Sequence, residues 1–181
     1  MSKRDLKGYL KGLKKAQLEE QIIDLYERFK EVKIFYDFAF NPQEQKILDV
    51  AKAKVYKEYF PNTKRRAKAR RSIAQKHIQH FKTIEMDASL IAEFMLYNLE
   101  IAQLFCSERR VNSAAFYKSI LKSYRELIVF IIQKGIHLKF KTRAEAIKKE
   151  TKTQDWENWF HFDDVFLLLD EDGEGFYQIK N

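Results

Sequence analysis

The chain has 181 residues, of which 34 are basic and 26 acidic, so that its formal net charge is +8. Hydrophobic residues make up 45% of the chain, which excludes a disordered polypeptide, and only five Gly and two Pro occur, which argues against a strand-rich fold with many turns. The single cysteine excludes an intrachain disulfide. The N-terminus is charged throughout and the longest aliphatic run is short, so we expect a cytoplasmic protein without membrane insertion.

The first third of the chain predicts three helical stretches. Ser2 is positioned to cap a basic amphipathic helix, and its apolar stripe consists of Leu6, Tyr9, Leu10 and Leu13. Apolar residues then recur at three- and four-residue steps, so one long helix or two nearly collinear helices should cover residues 16–40. Asn41 followed by Pro42 is a typical helix start and predicts the next helix at 42–59.

The rest of the chain predicts five more helices, at 73–84, 88–108, 113–134, 143–151 and about 154–169. Ser72 and Thr142 each begin a capping-box pattern, and Asp87 and Asn112–Ser113 each precede an apolar periodic run. Helices 88–108 and 113–134 are apolar around most of their circumference, which predicts burial on several sides. The short link between them makes them antiparallel neighbours.

These elements predict an all-α fold in which residues 1–181 form one domain of about eight helices, packed around a central antiparallel hairpin at 88–134. An irregular αα-superhelix is the alternative arrangement. The C-terminal segment 153–181 carries eight acidic residues and one basic residue, with several aromatics, so it should dock on the body or be partly mobile. Two solvated faces are the plainer interpretation of this uneven charge; the alternative is that the acidic segment attracts the basic residues described next and covers them.

Residues 62–71, which we call the basic block, carry six positive charges and no acidic residue. The wider window 59–84 holds eight basic residues, and outside it 26 basic residues balance 26 acidic ones. Such a concentration attracts polyanions, so we predict that it engages nucleic-acid phosphates. The predicted contact residues are Lys64, Arg65, Arg66, Lys68, Arg70, Arg71, Gln75 and Lys82. Three neighbouring aromatics are candidates to stack on bases: Tyr56, Tyr59 and Phe60.

Two other functions stay open on the sequence alone. A helical interaction adaptor would use the basic block to meet an acidic protein or the acidic segment of the same chain. An uncatalogued enzyme would use a pocket near Asn98, an amide on the apolar side of helix 88–108, although a packing role is the plainer interpretation. No glycine-rich phosphate loop, nucleophile motif or metal-ligand set is present, so we predict no catalytic, cofactor or metal site. The sequence leaves the oligomeric state open.

A family resemblance is carried by three stretches, SKRDLKGYLKGLKKAQLEEQIIDLYERFKEVKIFYDFAFNP, KARRSIAQKHIQHF and LIAEFMLYNLEIAQ. Together they resemble a family of small uncharacterised bacterial proteins of unknown function, over most of residues 2–135. The resemblance implies a cytosolic helical protein and transfers no activity.

Overall fold

The computed structural model describes residues 2–62 and 66–169. Within these ranges it contains nine helices and no strand, so the all-α prediction is confirmed with one helix more than expected. The helices are α1 (Lys3–Lys11), α2 (Lys15–Arg28), α3 (Lys30–Phe40), α4 (Glu44–Tyr59), α5 (Arg71–Thr83), α6 (Ala88–Glu108), α7 (Ala114–Gln133), α8 (His137–Thr153) and α9 (Trp159–Leu167). Contacts divide the chain into two compact units, at residues 1–43 and 44–181.

The N-terminal unit contains α1, α2 and α3, and none of these helices has a buried residue. Ser2 caps α1 in a capping box with Asp5, as predicted. The prediction of one long helix or two nearly collinear helices at 16–40 is wrong, because Phe29 is extended (φ −117°, ψ 113°) and breaks the helix. The Tyr26 hydroxyl lies 2.6 Å from a carboxylate oxygen of Asp37. A straight helix would separate these residues by about 16 Å along its axis, beyond side-chain reach.

The second unit has its core on α6, which contacts α4, α5, α7 and α8. Eleven residues of α6 are buried, so this helix is enclosed on several sides as its composition predicts. Helix α7 packs against α6, α8 and α9. Leu99 on α6 and Ile128 on α7 are fully buried.

Of the helix starts predicted in this unit from local capping residues, some are correct and others are wrong. Asp87 and Ser113 cap α6 and α7 as predicted, each accepting hydrogen bonds from first-turn N–H groups. Ser72 does not cap α5, which begins one residue earlier with Arg70 at the cap position. Thr142 lies inside α8, because this helix begins at His137. The apolar face of α8 continues through both sides of Thr142 and buries Phe140 and Ala144, so packing overrides the capping pattern.

Helix α6 is also the one helix in the described ranges that is long and apolar enough to cross a membrane on length and composition alone. In this fold 61% of that stretch is buried, as for a core helix of a globular protein. One mostly buried helix is weak evidence for a span and agrees with the prediction that the chain does not insert into a membrane.

An ion-pair network joins α4, α6 and α8. The Arg143 guanidinium donates to Glu93 and, at 2.8 Å, to Glu100, while the Lys52 ammonium lies 3.3 Å from Glu93. Burial alone would raise the pKa of Glu93, but the hydrogen bonds and charges of Arg143 and Lys52 outweigh it and lower that pKa. The network fixes α4, whose last turn carries the segment that forms the candidate site.

Candidate nucleic-acid interface

The segment 66–70 is held on the last turn of α4 by Glu58. The backbone carbonyl of Glu58 accepts hydrogen bonds from the N–H groups of Lys68 (3.0 Å) and Ala69 (3.1 Å). The carboxylate of Glu58 accepts two more from Arg70, each at 2.9 Å. This hydrogen-bonded pairing with Arg70 lowers the pKa of the Glu58 carboxyl group. One glutamate therefore fixes both the backbone and one side chain of the segment.

Ala69 adopts a left-handed backbone conformation with φ 45°. This region costs a residue with a Cβ atom about 1 kcal/mol or more, and it persists where surrounding contacts enforce it. Here the contacts are those of Glu58, which flank Ala69 on both sides. The enforced turn keeps Lys68 and Arg70 in the lining of the groove described next.

An open groove of about 660 Å³ lies between the segment 66–70 and the link that joins α6 to α7. Its basic lining residues are Arg66, Lys68, Arg70, Arg109 and Arg110. Its other lining residues are neutral, and no Asp or Glu is among them. We call this feature the basic groove, and any anion that enters it meets five positive charges from two separate stretches of the chain.

Four of these basic residues form no ion pair within the described ranges: Arg66, Lys68, Arg109 and Arg110. The Glu58 carboxylate still interacts electrostatically with Lys68, although the two side chains are not paired. The guanidinium of Arg109 lies 5.5 Å from the ring centroid of Phe105, which is a cation–π contact that leaves the positive charge in place. Arg70 is neutralised in part by Glu58, although half of its side chain remains exposed.

The N-terminus of α7 opens into the same groove, with Ser113, Ala115 and Phe116 in the lining. The first turn of α7 contains no acidic residue. The Ser113 side chain accepts a hydrogen bond from the Phe116 N–H. The other N–H groups of a first helical turn have no partner within the helix, and such groups bind anions at helix N-termini. The helix dipole thus adds to the charge of the arginines.

A second, shallower groove of about 410 Å³ continues the cationic surface toward the end of α4. It shares Arg66, Lys68 and Arg70 with the basic groove and adds Lys57, Asn62 and Glu58, whose carboxylate pairs with Arg70. The positive surface therefore extends on both sides of the segment 66–70.

Other predicted contact residues have different neighbours. Arg71 donates to Ser123 at 2.8 Å and to Glu126 at 2.5 Å, and Gln75 donates to Glu126 at 2.8 Å. The sequence places Arg71 and Gln75 on an exposed face of α5, but in the structure α7 covers that face in part.

Lys82 lies with its ammonium 5.1 Å from the ring centroid of Phe130. Together with Gln75 it lines a separate groove of about 430 Å³ between α5 and α7, which also contains Glu126. The predicted contact set is thus divided between two places, of which only the basic groove lacks an acidic lining residue. Lys64 and Arg65 lie outside the described residues.

Asn98 is 2% exposed on α6 and lines neither the basic groove nor the α5–α7 groove. Its position supports the packing interpretation given in the sequence analysis. The predicted covering of the basic block concerns the acidic segment, of which residues 170–181 lie outside the described residues.

Aromatic rings follow one another beside the basic groove. Tyr56 stacks on Phe60 with centroids 5.0 Å apart, Phe60 meets the edge of Phe105 at 6.0 Å, and Phe105 lies 6.5 Å from Phe116. We call these four residues the aromatic row. Tyr56 is 42% exposed, and Phe60 and Phe116 are half-buried. Tyr59 is 1% exposed, so the expectation that it stacks on bases is wrong.

Sequence reasoning missed Arg109 and Arg110. Both lie in the link between two helices whose apolar patterns dominate that part of the chain. A local signal was available, because two adjacent arginines precede the Ser113 cap by a few residues, as Arg70 and Arg71 precede Ser72. Arg70, unlike Arg71, shares the basic groove with Arg109 and Arg110, and this depends on how α4 and α7 pack against α6.

Comparison with protein families gives a match over residues 1–170 to a family model described as a family of unknown function (DUF6155). The predicted resemblance to an uncharacterised family is thereby confirmed, and the match extends well beyond residue 135. No curated protein and no solved structure matches the chain.

Proposed function

We propose, for a chain that belongs to the family of unknown function DUF6155, that the basic groove binds the phosphate backbone of nucleic acid. The protein would act as a non-enzymatic binding protein. The observation that carries the proposal is the groove itself, in which five basic side chains from two stretches of the chain converge without an acidic lining residue.

The convergence of like charges has an energetic consequence. Basic side chains around one groove repel each other, and nearby carboxylates usually relieve that repulsion. In the described part of the chain Glu58 pairs with Arg70 and also acts on Lys68 from a longer distance, whereas the other basic residues of the groove form no ion pair. An anion bound in the groove would relieve this repulsion. An isolated lysine in water has no such repulsion, so an anion bound to it is stabilised much less.

Nucleic acid fits these charges better than a single small anion does. The cationic surface continues from the basic groove into the shallower groove beside α4, and the two grooves share three basic residues. A chain of phosphates can neutralise charges in both grooves at once and release counterions from the polyanion. A free phosphate ion would reach only one part of this surface.

A salt titration tests the proposal. We expect the full-length protein to bind mixed RNA or DNA oligonucleotides at about 50 mM salt. For four to five neutralised phosphates the log–log slope should be about −4 on a duplex and about −3 on a single strand. Lys68→Gln should reduce affinity and make the slope shallower by nearly one unit. Lys76→Gln is the matched control, because Lys76 belongs to the same acid-free window and lines none of the three grooves described above. Fluorescence anisotropy measures both variants.

The proposal fails if no oligonucleotide binds at about 50 mM salt, where electrostatic attraction is strong. It also fails if the two lysine variants lose affinity equally, because the effect would then follow net charge rather than the groove.

An interaction adaptor is the second candidate, and one observation favours it. The three N-terminal helices have no buried residue, yet large apolar side chains on them are exposed, including Ile22, Ile23, Leu25 and Phe40. Apolar helix faces of this kind suit a protein partner. Polyglutamate carries negative charge but no phosphate. If the protein binds polyglutamate more tightly than oligonucleotides, the adaptor function is favoured.

A further inference from the structure

We infer that the basic groove takes a single strand, with at least one base stacked against the aromatic row, rather than a duplex. The inference rests on the proposed function and assigns it a substrate class. The observation behind it is the mixed lining of the groove, in which aromatic and aliphatic side chains share the lining with cations from two stretches of the chain.

The lining of the basic groove comes from two stretches of the chain. The segment 66–70 provides Arg66 and Lys68 on one side, and the link between α6 and α7 provides Arg109 and Arg110 on the other. The apolar lining residues come from the ends of α6 and α7, from the link and from the segment 66–70: Phe105, Val111, Ala115, Phe116, Ala67 and Ala69. Phosphate oxygens can bind the cations, but they gain nothing from covering these apolar groups.

A duplex presents phosphates and groove edges to a protein and keeps its base faces stacked inside. A single strand exposes the base faces, and each face can cover apolar surface while the backbone stays at the cations. Proteins that bind single strands combine a positively charged groove with aromatic side chains on which bases stack. The basic groove has both parts within about 660 Å³, a volume in the range of small-ligand sites.

Phe116 is the best-placed stacking residue. It lines the groove and is half-buried. Its ring contacts that of Phe105, with ring centroids 6.5 Å apart. Phe105 is only 8% exposed and is already covered by the guanidinium of Arg109. Tyr56, at the far end of the aromatic row, offers a second exposed ring beyond Phe60.

Three ligands separate base contacts from phosphate contacts. They are a single strand of about 12 nucleotides, which exceeds most single-strand site sizes, the duplex of the same sequence, and an abasic strand with the same number of phosphates. We expect the full-length protein to bind the single strand about tenfold more tightly than the abasic strand at equal salt, since each stacked base contributes that much or more. The duplex should bind more weakly than the single strand.

Variants of Phe116 identify the stacking ring. Phe116→Leu keeps an apolar side chain but removes the ring, so the affinity for the single strand should fall about tenfold while that for the abasic strand stays the same. Phe116→Tyr keeps the ring and should bind like the wild type. The matched control is Phe160→Leu, which removes a 47% exposed ring on α9, outside the groove. If Phe116→Leu unfolds the protein, the comparison of abasic with normal strand on the wild type still decides.

The outcomes separate this inference from the proposed function. Equal affinity for the normal and abasic strands, or tighter binding of the duplex, would overturn the single-strand inference and leave phosphate binding intact. Absence of binding to all three ligands at about 50 mM salt would overturn both.

Discussion

The two ends of the described basic block, Arg70–Arg71 and Arg66–Lys68, have equal charge in the sequence and unequal partners in the structure. Arg70 pairs with Glu58 through two hydrogen bonds, and Arg71 pairs with Glu126 and Ser123. Arg66 and Lys68 have no ion-pair partner among the described residues, and the arginines of the α6–α7 link join them in the basic groove.

This difference shows that the number of basic residues in a segment does not give the number of charges that remain unpaired and able to bind a ligand. An ion pair at low exposure, such as that of Arg71 with Glu126, keeps its arginine in the fold, because removing either partner leaves a partly buried charge unpaired. An unpaired cation at a groove keeps its charge for a ligand. Mutations in the basic block should therefore fall into two groups. Replacing an unpaired cation should lower the affinity for nucleic acid, and replacing a paired arginine should lower the free energy of unfolding.

The largest expected effect is on affinity. Replacing Arg66, Lys68, Arg109 and Arg110 together by Gln should lower nucleic-acid affinity about a hundredfold at low salt and make the log–log salt slope shallower by about three units. The free energy of unfolding should stay within about 0.5 kcal/mol of the wild type, since these side chains are exposed. Anisotropy titrations and urea unfolding measure the two quantities. An unchanged slope would contradict the assignment of these four charges to the ligand.

Arg71→Gln should show the opposite pattern. The loss of its hydrogen bonds to Glu126 and Ser123 should lower the free energy of unfolding by about 1–2 kcal/mol, because charged hydrogen bonds at low exposure are lost. The salt slope of nucleic-acid binding should hardly change. Urea denaturation checks the first effect, with exposed Lys76→Gln as the control. A slope that falls by a full unit without loss of stability would assign Arg71 to the ligand instead.

Glu58→Gln should lower the free energy of unfolding by about 1 kcal/mol at neutral pH, a value limited by the half-exposed Arg70 partner. The folded pKa of Glu58 lies below its ordinary value of 4.5, so the stabilisation is present above that pH. It is lost as pH falls through the folded pKa, and the difference between wild type and variant should vanish there.

Urea unfolding of both proteins between pH 7 and about pH 3 checks the expected pH dependence of Glu58. A difference that stays constant over this range would show that the carboxylate charge does not contribute. Other carboxyl groups titrate in both proteins alike, so the comparison isolates Glu58.

The smallest expected effect concerns the strained turn. Ala69→Gly should raise the free energy of unfolding by about 0.5–1 kcal/mol, because glycine adopts the left-handed conformation without a Cβ penalty. Ala67→Gly in the same segment is the control and should slightly lower stability, since Ala67 has no positive φ to relieve. Thermal unfolding of the two variants measures the contrast. Equal losses in both would show that the turn at Ala69 carries no strain.

Local chemistry made much of the fold predictable. Ser2, Asp87 and Ser113 act as helix caps because their side-chain oxygens reach first-turn N–H groups, which needs only neighbouring residues. The burial of α6 follows from its apolar composition in the same way. The helix break at Phe29 has no such signal, since neither Gly nor Pro is nearby, and the Tyr26–Asp37 contact across it depends on the turn itself.

For the candidate site, the sequence by itself determined the sign and the density of charge around residues 62–71, and with them the attraction to polyanions. Only the tertiary structure decided which cations are available. Coulomb attraction depends on distance, and the carboxylates of Glu58 and Glu126 come close to arginines 12 and 55 residues away only when α4, α5 and α7 pack. The same packing brings Arg109 and Arg110 to Arg66 and Lys68, across about 40 residues of chain that no local pattern connects.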